Sequence, residues 1–150
     1  MIGMRRVSFW KMLYVFVVVW CLASMSAQAA IYTVTATTDD GTGAAGTLSW
    51  AINAANGNTN DFDFRAIAFN LSSGDTITIS ATMPTITNDV SISGTNSATG
   101  NPVTIQVTTP GTSTFRVFEI NATGESVTFT DMTIRGGDVS YTPVALAFAI

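Results

Sequence analysis

The sequence predicts an all-β protein, a solenoid of the parallel β-helix type. Valine, isoleucine or phenylalanine alternates with threonine or serine in five short runs, with turn residues between them: Thr76–Ser80, Val90–Ser93, Val103–Val107, Val127–Thr130 and Met132–Arg135. Such a run buries one face against a neighbour but cannot form a core alone. Stacked coils of chain satisfy this need, and an antiparallel sandwich is the alternative.

A loose repeat supports the stacked arrangement. Isoleucines of the apolar runs recur at intervals of 13 to 15 residues, at Ile79, Ile92, Ile105, Ile120 and Ile134. In the last two runs, apolar residues alternate at Val127 and Phe129. The alternation is interrupted and then resumes at Met132 and Ile134. A bend at Thr130-Asp131 would carry the chain from one sheet to the next and keep both apolar pairs inside.

The N-terminus predicts an export signal. Arg5, Arg6 and Lys11 precede the apolar stretch Met12–Ala23, and the small residues Ala27 and Ala29 then form a cleavage site. We expect cleavage after Ala29, so that Ala30 becomes the first residue. The rival is a retained anchor, but the apolar stretch is shorter than the roughly 20 residues that span a bilayer.

The mature chain is acidic. Without residues 1–29, three arginines oppose ten acids, giving a net charge of −7. Nucleic acid is therefore not an expected partner, because binding to its backbone needs clustered Lys and Arg. The mature chain has no cysteine, so a disulfide framework is also excluded.

The first part of the mature chain predicts two strands and one helix. Ile31–Ala36 and Arg65–Asn70 alternate as strands, and Thr37–Gly46 is a loop. Between them, Thr47 is the expected N-cap of a helix, and Asn56-Gly57 is its stop signal. Apolar residues at helical spacing follow the cap, with the expected helix residues Leu48, Trp50, Ile52 and Ala55.

This region resembles a known family. The strand Tyr32-Thr33-Val34-Thr35 and the segment Gly46-Thr47-Leu48-Ser49-Trp50-Ala51-Ile52-Asn53-Ala54-Ala55-Asn56 are similar to the N-terminal segment of bacterial surface or secreted proteins with right-handed parallel β-helix repeats. In that family the segment often reads Cys-Ser-Leu-Arg-Glu-Ala-Ile or Gly-Ser-Leu-Arg-Trp-Ala-Ile. Thr47 and Ser49 depart from these motifs, and there is no Cys. The resemblance implies a right-handed β-helix whose short helix caps the open first coil.

The predicted organisation has three parts. Residues 1–29 form the signal peptide, residues 30–75 the first strand and capping helix, and residues 76–150 the first coils. Val139–Ile150 is apolar to the last residue, with no polar cap. We therefore expect an N-terminal fragment of a longer product, incomplete at its C-terminus; an ordinary last strand over Val144–Ile150 is the alternative.

A glycine-rich loop is the first candidate for chemistry. Gly41, Gly43 and Gly46 match the dinucleotide-binding spacing G-x-G-x-x-G between a strand and a helix. Asp39 and Asp40, however, would face the pyrophosphate, and no alternating series of helices and strands follows. We assign no cofactor.

The acids are the second candidate. Most lie beside Gly or Asn in turns, where Asp bonds its own backbone, and Glu119 is placed to pair with Arg116. Their spacing lacks the ligand series of a calcium loop, and the absence of histidine excludes a Ser–His–Asp triad within this sequence. We assign no catalytic residue and no metal.

The sequence favours a non-enzymatic role. We expect an exported surface or secreted protein with a structural or adhesion-like binding role, whose partners are glycans or cell-surface components and which keeps no membrane span. Export by the general secretory route would place it outside the cell, at the cell surface or at the outer membrane. The alternative is the N-terminal part of a pectin-lyase-like polysaccharide lyase or hydrolase, with its active site in later coils.

Overall fold

The computed structural model describes residues 29–59, 64–110, 115–124 and 126–137. Eight strands and one helix lie in these ranges. In chain order they are β1 (Ala30–Val34), β2 (Thr38–Asp39), α1 (Leu48–Gly57), β3 (Arg65–Phe69), β4 (Thr76–Ile79), β5 (Val90–Asn96), β6 (Val103–Val107), β7 (Val127–Thr130) and β8 (Met132–Arg135). The predicted signal peptide, except Ala29, and the segment Val139–Ile150 lie outside the described residues.

The strands form two four-stranded sheets. Sheet I has the order β1-β3-β5-β7 and sheet II the order β2-β4-β6-β8, and every ladder within them is parallel. Successive strands therefore belong to different sheets. An antiparallel sandwich, the alternative weighed from the sequence, is excluded by these ladders.

Period-2 alternation places the core. In β3, β4 and β6 every second side chain is buried, and these chains form one apolar cluster with residues of α1. Its largest fully buried members are Phe69, Leu48, Ile52, Ile67, Leu71, Ile77, Ile79, Ile86, Ile92 and Ile105. Each contributes roughly 1.5–3 kcal/mol through burial.

The bend predicted at Thr130-Asp131 is present. β7 ends at Thr130 in sheet I, and β8 begins at Met132 in sheet II. Asp131 joins them with φ 53°, a left-handed conformation that Asp tolerates better than most residues. One residue therefore turns the chain between sheets.

Helix α1 forms where its periodicity predicts. Thr47 is the N-cap, and its Oγ1 accepts a hydrogen bond from the Trp50 backbone N at 3.2 Å. The buried face packs on β1 and β3. Among the described residues, no helix has the length and apolar character needed to cross a membrane.

The predicted fold class is wrong. The sequence predicts an all-β right-handed β-helix solenoid, whereas the described residues have an α/β-like arrangement of two parallel four-stranded sheets and one helix. Leu48, Ala51, Ile52 and Ala55 of α1 are buried in the same core cluster as the strands. The helix is thus part of the core-forming structure. Alternation of apolar and polar residues in short runs indicates that one face of a strand is buried, but it does not specify which element packs on that face.

Strand β2 was missed by the sequence. It lies in the predicted loop Thr37–Gly46 and has only two residues, Thr38 and Asp39. Asp39 is buried and pairs in register with Ile79 of β4. An Asp-Asp-Gly sequence favours a turn, so tertiary pairing overrides the local preference here.

Candidate binding groove

A shallow groove lies on sheet I where β3, β5 and β7 begin. It has a volume of about 100 Å³ and is lined by Phe64, Arg65, Asp89, Val90, Ser91, Ser126 and Thr128. The parallel register explains this grouping, because Ala66 pairs with Ser91 and Ser91 pairs with Thr128. One position earlier, the Val90 backbone N donates to the Ser126 carbonyl at 3.1 Å. The pairing of parallel strands thus brings together residues that are distant in sequence, at two successive positions along the strands.

An ion pair is part of the groove lining. The Arg65 guanidinium donates from Nη1 to Oδ1 of Asp89, and Arg65 is only 4% exposed. Its Nε and Nη2 both donate to the Asn58 carbonyl, at 3.1 and 2.8 Å. A buried cation needs such partners, because its desolvation is otherwise costly. Asp89 is 37% exposed, so the carboxylate side of the pair reaches solvent.

The rim of the groove combines an aromatic ring with hydroxyl groups. Phe64 is 60% exposed, which is unusual for so large an apolar side chain. Ser126 and Thr128 are exposed and Ser91 is half-buried. The groove therefore offers an apolar surface beside hydrogen-bonding groups.

The predicted helix residues lie close together but away from the groove lining. Leu48, Ile52 and Ala55 are buried in the core, and Trp50 is half-buried. The Trp50 ring meets Tyr32 of β1 edge-on, with centroids 6.3 Å apart. The role of these residues as a capping helix stays a prediction.

Of the predicted cleavage residues, Ala27 lies outside the described residues. Ala29 is exposed, and Ala30 is the first residue of β1. The Ala30 backbone N donates to the Phe64 carbonyl at 2.8 Å. Regular structure in the described part of the chain thus starts at the residue that the predicted cleavage would leave first.

The glycine-rich loop has a structural role. Asp39 Oδ1 accepts from the Gly41 backbone N at 2.9 Å, and Gly43 N donates to the Ser49 hydroxyl at 3.2 Å. A Cβ on Gly46, which has φ 84°, would lie 2.6 Å from Thr35 Oγ1. The loop therefore packs against α1 and against Thr35, which follows β1.

Two turn carboxylates have lowered pKa values. Hydrogen bonds from the Thr42 side chain and backbone lower the pKa of Asp40, and hydrogen bonds from Thr99, Asn96 and Asn101 lower the pKa of Asp75. Asp40 is exposed and Asp75 is half-buried, so screening by solvent weakens the effect. These carboxylates stay ionised while they hold their turns.

The remaining acids are dispersed. Arg116 Nη1 lies 3.2 Å from Glu119 Oε1 in an exposed pair, as the sequence predicts. No group of three or more His, Cys, Asp or Glu residues able to hold a metal occurs in the described ranges. Within these ranges, every buried side-chain nitrogen or oxygen atom has a hydrogen-bond partner.

Comparison with known proteins gives no neighbour: the chain matches no protein-family model, no curated protein and no solved structure.

Local sequence pattern does not reveal the groove. The pair Asn88-Asp89 is typical of a turn, and Arg65 is the first residue of a predicted strand. One signal of the site is present in the sequence: Arg65 is charged but lies two residues before Ile67 and four before Phe69, on the buried face of the strand. A charge at such a position needs a partner, but the partner lies 24 residues away and depends on strand register.

Proposed function

We propose that this chain is an exported bacterial surface or secreted protein with a structural or adhesion-like binding role. The observation that carries the proposal is an array of polar side chains across the outer face of sheet II and on the outer face of β5 and β7 in sheet I. On sheet II, Thr76, Thr104 and Thr133 occupy one row across β4, β6 and β8. On sheet I, Ser91 and Thr128 share a row, and Ser93 pairs with Thr130.

Strand spacing gives this array a defined repeat. Neighbouring strands lie about 4.8 Å apart, so hydroxyl groups recur at that interval across a sheet. A periodic, shallow, hydrogen-bonding surface suits an extended partner such as a glycan or a cell envelope. The groove adds an aromatic ring and a carboxylate at one end of that surface.

Features of the N-terminus support export. The apolar stretch and small-residue site precede Ala30, where β1 begins. The segment Gly46–Asn56 resembles that of bacterial surface proteins. A binding role, rather than catalysis, agrees with the structural partners of Asp39, Asp40, Asp75 and Asp89.

The export part of the proposal is tested with the full 150-residue chain in a bacterial host. We expect the extracytoplasmic fraction to contain a species that begins at Ala30, identified by intact mass and N-terminal sequencing. The variant Ala27→Asp/Ala29→Asp should accumulate uncleaved, because small residues are required at these positions. Ala23→Gly is the matched control and should be processed normally. An uncleaved wild-type protein in the cytoplasm would contradict the proposal.

The binding part is tested with the purified exported protein, labelled with a fluorophore. We expect retention on whole bacterial cells or on insoluble polysaccharides, measured by flow cytometry and by sedimentation. Retention should fall when Thr104 and Thr133 are both replaced by Lys, which breaks the hydroxyl row. Release of new reducing or unsaturated sugar ends would instead support the lyase or hydrolase alternative.

A further inference from the structure

We infer that the groove at the start of β3, β5 and β7 is a subsite for one neutral sugar ring of an extended glycan. This inference rests on the proposed binding function and names its ligand class and position. It is carried by three observations on the same seven residues: the size of the groove, the exposed Phe64 ring, and the distribution of charge around Asp89.

The size of the groove favours a single ring on an open surface. Sites that enclose drug-sized molecules have volumes of roughly 300–1,000 Å³. At about 100 Å³ this groove is too small to enclose such a molecule. The outer face of sheet I continues from it through Ser93 and Thr130, so a chain bound in the groove could extend over further hydroxyl groups.

Phe64 provides the apolar contact. Phe64 is 60% exposed and lines the groove, and its backbone is held by the hydrogen bond from Ala30 N to the Phe64 carbonyl. The face of an aromatic ring carries negative partial charge, which attracts the C–H groups on one side of a pyranose. Because the backbone is already fixed, less ordering is needed on binding.

Asp89 provides the polar contact. Oδ1 of Asp89 accepts from Arg65, and within the described residues Oδ2 has no hydrogen-bond donor. That oxygen can accept from a sugar hydroxyl, and the Ser91, Ser126 and Thr128 hydroxyls can both donate and accept. A sugar hydroxyl group both donates and accepts hydrogen bonds, so it can pair with the carboxylate and with these hydroxyl groups.

Charge excludes an anionic sugar. Arg65 is buried and paired with Asp89, so the partly exposed charge at the groove is the carboxylate. A uronate or a phosphate would meet that carboxylate in a chain whose mature part carries a net charge of −7. We therefore expect uncharged hexose units.

The test uses the purified exported protein and three neutral probes: maltotetraose, cellotetraose and mannotetraose. Amide chemical shifts are followed by NMR, and dissociation constants are fitted up to 10 mM sugar. We expect at least one probe to shift the amides of Ser91 and Thr128 with a millimolar dissociation constant. Tetragalacturonate should bind at least tenfold more weakly.

Variants locate the site. Phe64→Ala should weaken binding at least tenfold, whereas Phe64→Tyr should keep the affinity within threefold. Thr128→Val removes a hydroxyl but keeps a β-branched strand residue, and should weaken binding several-fold. Ile120→Ala is the matched control, because Ile120 is similarly exposed, at 52%, but does not line the groove.

Each outcome decides the inference. It is overturned if no neutral probe shifts the groove amides, if Phe64→Ala binds as the wild type does, or if tetragalacturonate binds best. If the protein still adheres to cells or polysaccharides in that case, the proposed function stands and only the subsite fails. If adhesion is absent as well, both fail.

Discussion

Asp39 and Ser49 join the shortest strand to the helix through two hydrogen bonds. Oδ2 of Asp39 accepts from the Ser49 backbone N at 2.6 Å, and Oδ1 accepts from the Ser49 hydroxyl at 2.7 Å. Asp39 is 2% exposed and Ser49 is fully buried. A carboxylate that accepts from a backbone N–H at the N-terminus of a helix also interacts favourably with the helix dipole. This contact therefore connects sheet II to α1.

Removal of the Asp39 carboxylate should destabilise the fold. Asp39→Ala removes the carboxylate that accepts from the buried Ser49 N–H and from the Ser49 hydroxyl, and we expect a loss of about 2–3 kcal/mol in the free energy of unfolding by urea denaturation. Ser49→Ala should cost less, about 1 kcal/mol, because the backbone bond remains. The exposed neighbour Asp40→Ala serves as the control. Equal effects of the two aspartate variants would contradict the importance of this contact.

Asn96 should be among the most sensitive polar positions. It is fully buried, with Oδ1 accepting from Leu71 N at 2.8 Å and Nδ2 donating to the Leu71 carbonyl at 3.1 Å. Asn96→Ala should reduce the free energy of unfolding by about 2–3 kcal/mol, since it leaves buried backbone groups unpaired. Asn96→Asp should also destabilise the fold. In the wild type, Asn96 Nδ2 donates to Asp75 Oδ1 at 2.7 Å, and a carboxylate in place of that amide would repel the Asp75 carboxylate. Thr95→Ala, at an exposed position of the same strand, should have little effect on the urea midpoint.

Acid should weaken the turn around Asp75. Hydrogen bonds from Thr99, Asn96 and Asn101 lower its pKa in the folded state, below the ordinary value of 3.8. Stability from this group is therefore present above pH 3.8 and is lost as the pH falls through the folded-state pKa. We expect Asp75→Asn to have a shallower decrease of Tm between pH 5 and about pH 2 than the wild type. Parallel Tm profiles for the two proteins would show that the turn makes no such contribution.

The direction of the strand side chains can be checked at Ile105. This residue is fully buried in β6 and pairs with Ile77 and Ile134. Ile105→Ala should cost about 2–5 kcal/mol by opening a cavity, and Ile105→Asp should abolish cooperative unfolding, because it buries an unpaired charge. Gln106→Asp, the next residue, is only half-buried and should remain folded by circular dichroism. A folded Ile105→Asp variant would contradict the inward orientation.

Two glycines should respond to alanine in opposite ways. A Cβ at Gly94 of β5 would lie 2.5 Å from the Asp131 carbonyl oxygen and 2.6 Å from the Met132 Cβ, so Gly94→Ala should displace the bend before β8 and lower the Tm. A Cβ at Gly57, at the end of α1, meets no atom within 4 Å. Gly57→Ala should stabilise by about 0.5–1 kcal/mol, since alanine loses less backbone entropy in a helix. Differential scanning calorimetry of the two variants measures both effects.

The sequence predicted the local elements well. Helix α1 follows from the Thr47 cap and the apolar spacing after it, and the bend follows from the parity break between Phe129 and Met132. The alternating runs predicted most strands to within a few residues, although β5 extends to Asn96, beyond the predicted Ser93. These features depend on propensities and periodicities within a few residues, which the sequence contains directly.

Only the tertiary structure decided the fold class, the burial of Asp39 and the position of the groove. The all-β prediction was wrong because α1 shares one core with both sheets. Phe64, Asp89 and Ser126 are far apart in sequence and meet through the parallel pairing of β3, β5 and β7. Strand order and register arise from packing across the whole core, so contacts that depend on them cannot be derived from local pattern.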